Sequence, residues 1–141
     1  MAEQQPARKA SQEEIAYVER VYQNQYMMLG NAINSALEEL QELNSAWVAL
    51  ESMDKLAGKE SFSSIGADFY VRSQIKSDTK VIIGVGGGFM LEKDTASAKA
   101  TVKKRLDAKN ALVKKLVDNR KEIETAMIDI QSGIIPGQNS V

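Results

Sequence analysis

The residues of this chain that first suggest chemistry are Gly84-Val85-Gly86-Gly87-Gly88-Phe89, a glycine-rich run of the kind that cradles phosphate. Such a loop works because successive amides point at the anion and a helix N-terminus follows directly. Here no Lys-Ser/Thr pair follows the glycines, and Phe89 stands where a dinucleotide fingerprint needs its last glycine. The next residues, Phe89-Met90-Leu91, read as strand. The run is a turn, not a nucleotide site. With no histidine and no cysteine, the usual general base, the thiol nucleophile and the common zinc ligands are missing. The carboxylates fall on polar helix faces without a recognisable pocket. These features argue against an enzyme and call for neither cofactor nor metal.

What remains is contact chemistry between apolar side chains and other proteins. Tyr17, Val21 and Met28 lie roughly 200 to 240° around a helix from Ile15 at 100° per residue. Further along the same side stand Glu38, Glu39, Glu42 and Ser45, all polar. Apolar residues on the outward side of one end only can meet a neighbouring chain or the N-terminal tail, or they can form a binding surface. Ile134 and Ile135 fall at or just past the end of a second helix. They either pack on the first helix near Ile15 or join that surface.

Two long heptad-patterned stretches must position these residues. In the first, Ser11-Gln12-Glu13-Glu14 is a capping box and Gly58 a C-terminal stop. Ile15, Tyr22, Leu29, Ala36, Leu43 and Leu50 recur every seven residues, partnered by Val18 and then Tyr26, Ile33, Leu40 and Trp47. One narrow apolar seam on so long a helix predicts a coiled coil. In the second, Asp94 is the expected N-cap, with Thr95 as the alternative, and the seam runs Val102, Leu106, Lys109, Val113, Leu116, Arg120, Ile123, Met127, Ile130 and Ile134. Lys109 and Arg120 break its apolarity. Their stems are expected to cover apolar surface while the charge reaches water and helps fix register. Gly133 and Pro136 end the helix.

Between the helices, Phe62–Ile65, Phe69–Ile75, Val81–Val85 and Phe89–Leu91 read as strands. The intervening turns are Gly66-Ala67-Asp68, Lys76-Ser77-Asp78-Thr79 and Gly86-Gly87-Gly88. The reading is two tandem hairpins. Isolated hairpins are marginal in water, and these carry Ile65, Phe69, Val71, Ile75, Val81, Ile83, Val85, Phe89 and Leu91. One chain is expected to lack the surface to cover them, so other chains must, and an obligate oligomer follows. The fold class is α+β: a long antiparallel two-helix coiled coil joined by two hairpins. The expected boundaries are a tail at 1–10 and a single domain at 11–135, with a tail at 136–141. Within the domain, one helix spans 11–57, the hairpins 58–93 and the second helix 94–133.

Composition agrees with this. Aromatic content is 6% and charged content 26%, a balance suited to long helices. Net charge is -1, from 18 basic and 19 acidic residues, and Lys99, Lys103, Lys104, Lys114 and Lys115 are read as balanced by acids nearby, so no nucleic acid is expected. No stretch approaches the ~20 apolar residues that span a bilayer, and Met1-Ala2-Glu3-Gln4-Gln5-Pro6 does not resemble a signal peptide. A soluble cytoplasmic protein with no membrane partner is expected.

The central residues resemble a known family. Ile65-Gly66-Ala67, Phe69-Tyr70-Val71-Arg72-Ser73-Gln74-Ile75, Asp78-Thr79-Lys80-Val81-Ile82-Ile83-Gly84-Val85-Gly86-Gly87-Gly88 and Leu91-Glu92-Lys93-Asp94 look like prefoldin, and more closely like the alpha-class subunit of archaeal type, which has two central hairpins. The resemblance covers about Ile15 to Ile134, and outside the centre it is one of pattern only. It implies a hexamer of two alpha-class and four beta-class subunits, whose hairpins join into an intersubunit double β-barrel with coiled-coil arms projecting from it. It also implies an ATP-independent chaperone that holds unfolded client proteins at the distal tips and passes them to a group II chaperonin. On that reading Tyr17, Val21, Met28, Ile134 and Ile135 bind clients through weak, adaptable contacts. The alternative is a scaffold or tethering coiled coil whose hairpins only mediate assembly.

Overall fold

The structure, a computed structural model, describes residues 10–76 and 80–135. In chain order it comprises α1 (Gln12–Leu56), β1 (Glu60–Gly66), β2 (Phe69–Gln74), β3 (Val81–Gly86), β4 (Phe89–Lys93) and α2 (Thr95–Gln131). The α+β class holds, with two long helices and two separate antiparallel hairpins, β1-β2 and β3-β4. Residues 1–9, 77–79 and 136–141 lie outside the described residues. The expectations for both tails, for Pro136 as a helix stop and for most of the Lys76–Thr79 turn therefore lie there too.

Local chemistry explains where the helices begin and end. The first orphan amides of α1 are capped reciprocally: the Glu14 N–H donates to Ser11 Oγ and the Ser11 N–H to Glu14 Oε2, each at 3.2 Å. At its other end Gly58 adopts φ 76°, and its N–H donates not back into the helix but to the Ile75 carbonyl at 2.8 Å. The C-terminus of α2 closes as a Schellman motif. Gly133, at φ 82°, donates to the Ile130 carbonyl and Ile134 to that of Asp129, both at 2.9 Å.

Asp94 caps α2 as expected, accepting the Ser97 N–H at 2.7 Å. That backbone bond, then the Ser97 side chain, hold the carboxyl below its ordinary value against an opposing desolvation, with the charge of Lys80 adding least. A carboxylate with a lowered folded pKa stabilises the fold above its unfolded pKa, and this contribution is lost as pH falls through the folded value. Thermal melts from neutral to strongly acidic pH should therefore show a larger loss for the wild type than for Asp94→Asn, which keeps an oxygen acceptor but does not titrate. Superimposable pH profiles would remove Asp94 from this account.

The heptad seams are the covered faces. Every seam position of α1 from Ile15 to Leu50 is buried or half-buried, as is every one of α2 from Val102 to Ile130. Glu38, Glu39, Glu42 and Ser45 are exposed. The chain divides into two compact units, Glu38–Asn110 and the remainder, residues up to Leu37 with those from Ala111. In Glu38–Asn110 the core is Leu50, Ala98 and Val102, surrounded by Leu43, Ala46, Trp47, Met53 and Leu106. Leu50 meeting Ala98, and Glu39 pairing with Lys109, show that the two helix segments run antiparallel there. In the other unit the two helix segments meet at Tyr26, which contacts both Glu124 and Arg120.

The polar seam positions also make specific contacts across the seam. Lys109 and Arg120 are half-buried and their charges find partners across the seam. The Lys109 ammonium pairs with Glu39. The Arg120 guanidinium lies 5.8 Å from the centroid of the Tyr26 ring, whose hydroxyl donates to Glu124 Oε1 at 3.2 Å. A cation over an aromatic face is attracted by the ring quadrupole, so both positions add a specific cross-seam contact to the cover that their stems give.

Candidate functional site

Both hairpins close on the same device. In each, a glycine pairs with a phenylalanine across a two-residue turn, Gly66 with Phe69 and Gly86 with Phe89, after a one-residue bulge. The turn residues all have positive φ: Ala67 and Asp68 in the first, Gly87 and Gly88 in the second. That is the type I′ geometry that suits the twist of paired strands. The glycine run is thus spent on a tight turn, as its sequence reading expects.

Residues opposite each other across an antiparallel pair share a face. On β3-β4 one face carries Val81 and Ile83 with Leu91, which pairs with Ile83. Val81 and Ile83 pack against the Leu50–Ala98–Val102 cluster. Two polar ties hold the same hairpin to α2: Lys93 Nζ donates to Thr101 Oγ1, and Arg105 Nη2 to the Gly84 carbonyl, both at 3.1 Å. The expectation that one chain has no surface for these residues is therefore corrected for Val81 and Ile83, because β3 folds directly onto the helix pair. Ile75 is also half-buried, forming an isolated bridge with Ala57.

Ile65, Phe69, Val71, Val85, Phe89 and Leu91 do stand open to solvent, Phe69 at 67% exposure and Phe89 at 74%. Four further apolar side chains, not singled out from sequence, are exposed as well: Phe62, Tyr70, Ile82 and Met90. They project from the other faces. Phe62 lies opposite Arg72, Tyr70 opposite Ser64, Ile82 opposite Glu92 and Met90 opposite Gly84. A hairpin wetted on one side would alternate apolar and polar residues. Neither of these does, and that failed alternation was the signal available in the sequence. Each sheet has only two strands, so among the described residues the outer backbone edges also lack strand partners, which invites pairing with other chains.

A second apolar surface belongs to the unit that contains the start of α1 and the end of α2. Tyr17 is 68% and Met28 71% exposed, while Val21 and Ile134 are exposed to a lesser degree. Ile135 is half-buried. Met27 and Ile128, which the sequence reading passed over, are exposed too. Met28 also borders an open groove of about 610 Å³, lined by Gln25, Leu29 and Ala32 of α1 and by Asn119 and Ile123 of α2. Unbranched methionine at such a rim adapts to many apolar shapes.

Comparison with known proteins places these surfaces in context. The family model described as "Prefoldin subunit" matches residues 22–134. The prefoldin subunit alpha of Thermofilum pendens is 27% identical over 118 residues, covering 78% of this chain and 92% of the relative. That of Methanobrevibacter smithii is 28% identical over 100 residues, covering 67% and 68%. Among solved structures, filamentous prefoldin from Methanocaldococcus jannaschii aligns with a TM-score of 0.59 at 21% identity, covering 83% of this chain and 92% of that one. The last match establishes shared fold alone. Prefoldin is a family of chaperones rather than of enzymes, and its alpha subunits assemble into oligomeric complexes. No described helix is long and apolar enough to cross a membrane. Two long helices, two tandem hairpins and a family match over most of the sequence lead to one statement of kinship: the chain belongs to the prefoldin family, and its relatives above are alpha subunits.

Proposed function

We propose that this chain is the alpha-class subunit of a cytoplasmic, ATP-independent chaperone, joined through its hairpins to beta-class subunits in a hexamer of two alpha and four beta chains. The complex captures unfolded proteins at the ends of its coiled-coil arms, keeps them from aggregating and passes them to a group II chaperonin. The observation that carries this reading is the pairing of two separate apolar surfaces in one chain. One lies on hairpins that carry exposed apolar side chains on both faces, which suits assembly. The other is a set of exposed side chains around Tyr17 and Met28, which suits weak contact with many partners. Conversion of the glycine run into a type I′ turn fits a chaperone that works without nucleotide.

The test mixes the chain with a beta-class prefoldin subunit, measures the assembled mass, and follows light scattering of a denatured client diluted into the complex. A hexamer that suppresses scattering without added nucleotide is expected. A second reading, a structural scaffold without client binding, draws support from the filamentous form of the Methanocaldococcus jannaschii relative. Assembly with undiminished client aggregation would favour the scaffold.

A further inference from the structure

The two hairpins are held to the chain very differently. In β3-β4, Val81 and Ile83 pack on the Leu50–Ala98–Val102 cluster, and the Lys93–Thr101 and Arg105–Gly84 hydrogen bonds tie the hairpin to α2. In β1-β2 every strand residue except Ser61 and Ser73 is exposed, and none joins that cluster. Among the described residues its side-chain hydrogen bonds stay inside the hairpin, linking Ser61, Ser63 and Ser73 and joining the Gly66 amide to Ser64. The Arg72–Glu60 ion pair also stays inside it. Its attachment lies at the base, where the Gly58 N–H donates to the Ile75 carbonyl. The turns differ in the same direction. Gly87 and Gly88 take positive φ without a Cβ, whereas Ala67 at 48° and Asp68 at 61° carry side chains there. In that region a Cβ crowds the following carbonyl, and alanine is tolerated less well than aspartate.

We infer that the folding of β1-β2 is coupled to assembly: β3-β4 is preformed in the single chain, while β1-β2 is stably paired only against a partner subunit. A two-stranded hairpin without packing is marginal in water, and this one closes on a strained turn as well. Its exposed Phe62 and Tyr70 stand on one face and Val71 on the other. A partner that covers both faces offsets the cost of ordering the strands. One that covers a single face leaves apolar side chains wet. Apparent affinity falls in proportion to the fraction of chains whose hairpin is formed, so assembly discriminates against partners that fit only in part. This inference rests on the hairpin-assembly reading above.

Amide hydrogen exchange of the full-length chain, alone and mixed with a beta-class prefoldin subunit, tests it, read by mass spectrometry of peptides from each hairpin. The chain alone is diluted until sedimentation reports 15.5 kDa. There the amides of 62–71 should exchange about tenfold faster than those of 82–91, and in the complex they should slow by about a hundredfold. Ala67→Asn/Asp68→Gly, the pair that type I′ turns favour, should narrow the difference in the single chain. It should also tighten the apparent affinity for the beta-class subunit by about threefold to tenfold. Equal exchange of the two hairpins in the single chain would overturn the inference. A chain that stays assembled at every dilution would overturn it too, since β1-β2 would then have no uncovered state. No gain in mass on mixing would overturn the assembly reading and this inference with it. A complex formed with β1-β2 exchange unchanged would overturn the inference alone.

Discussion

Phe69→Asp combined with Phe89→Asp is expected to leave single chains of 15.5 kDa under conditions where the wild-type chain with its partner subunit forms a multi-chain complex. Both rings stand directly after a type I′ turn, and both are at least two-thirds exposed. Covering such a ring gains about 1.5 to 3 kcal/mol. Burying an unpaired carboxylate in its place costs several more. With two sites per chain, the change exceeds what most non-covalent interfaces can lose. The chain itself should survive, because neither ring belongs to the Leu50–Ala98–Val102 cluster, and the caps at Ser11 and Asp94 are untouched. Sedimentation should report the loss of mass while far-ultraviolet circular dichroism keeps its helical signal. Retained mass would mean that the hairpin faces are not the assembly surface.

The helices and hairpins were legible because their signals are local. A capping box, a seven-residue apolar period and glycines at the turns each act within a few residues, and the structure uses them where they stand. What the chain did not reveal in advance depends on contacts between distant segments. Val81 and Ile83 look like any other exposed strand residues until β3 is seen to lie on α1 and α2. Lys109 and Arg120 look like interruptions of a seam until register sets them beside Glu39 and Tyr26. The hairpin surface was half legible. Choosing one residue in two along each strand follows from assuming one wet face, and Phe62, Tyr70, Ile82 and Met90 show that the assumption fails. On the helices, Met27 and Ile128 are not legible from the side opposite a seam, because exposure begins at the seam's flanks.

Substituting serine for Tyr17, Val21, Met28, Ile134 and Ile135 is expected to abolish suppression of client aggregation and to leave the assembled mass unchanged. All five lie outside the hairpins, so assembly through Phe69 and Phe89 has no reason to weaken. Tyr17 and Met28, the most exposed of the five, should carry most of the loss, and half-buried Ile135 the least. At roughly 1 kcal/mol for each partly covered side chain, the five together are worth on the order of a thousandfold in affinity. Several arms acting on one client multiply this loss, since avidity compounds weak contacts. A paired variant, Met27→Ser/Ile128→Ser, measures how far the surface extends around the helices. Partial loss of protection there, with full loss in the fivefold variant, would mark a continuous apolar collar. Undiminished light-scattering protection by the fivefold variant, with the complex intact, would move client binding away from this end of the helices. The groove beside Leu29, Ala32 and Ile123 would be the next surface to alter.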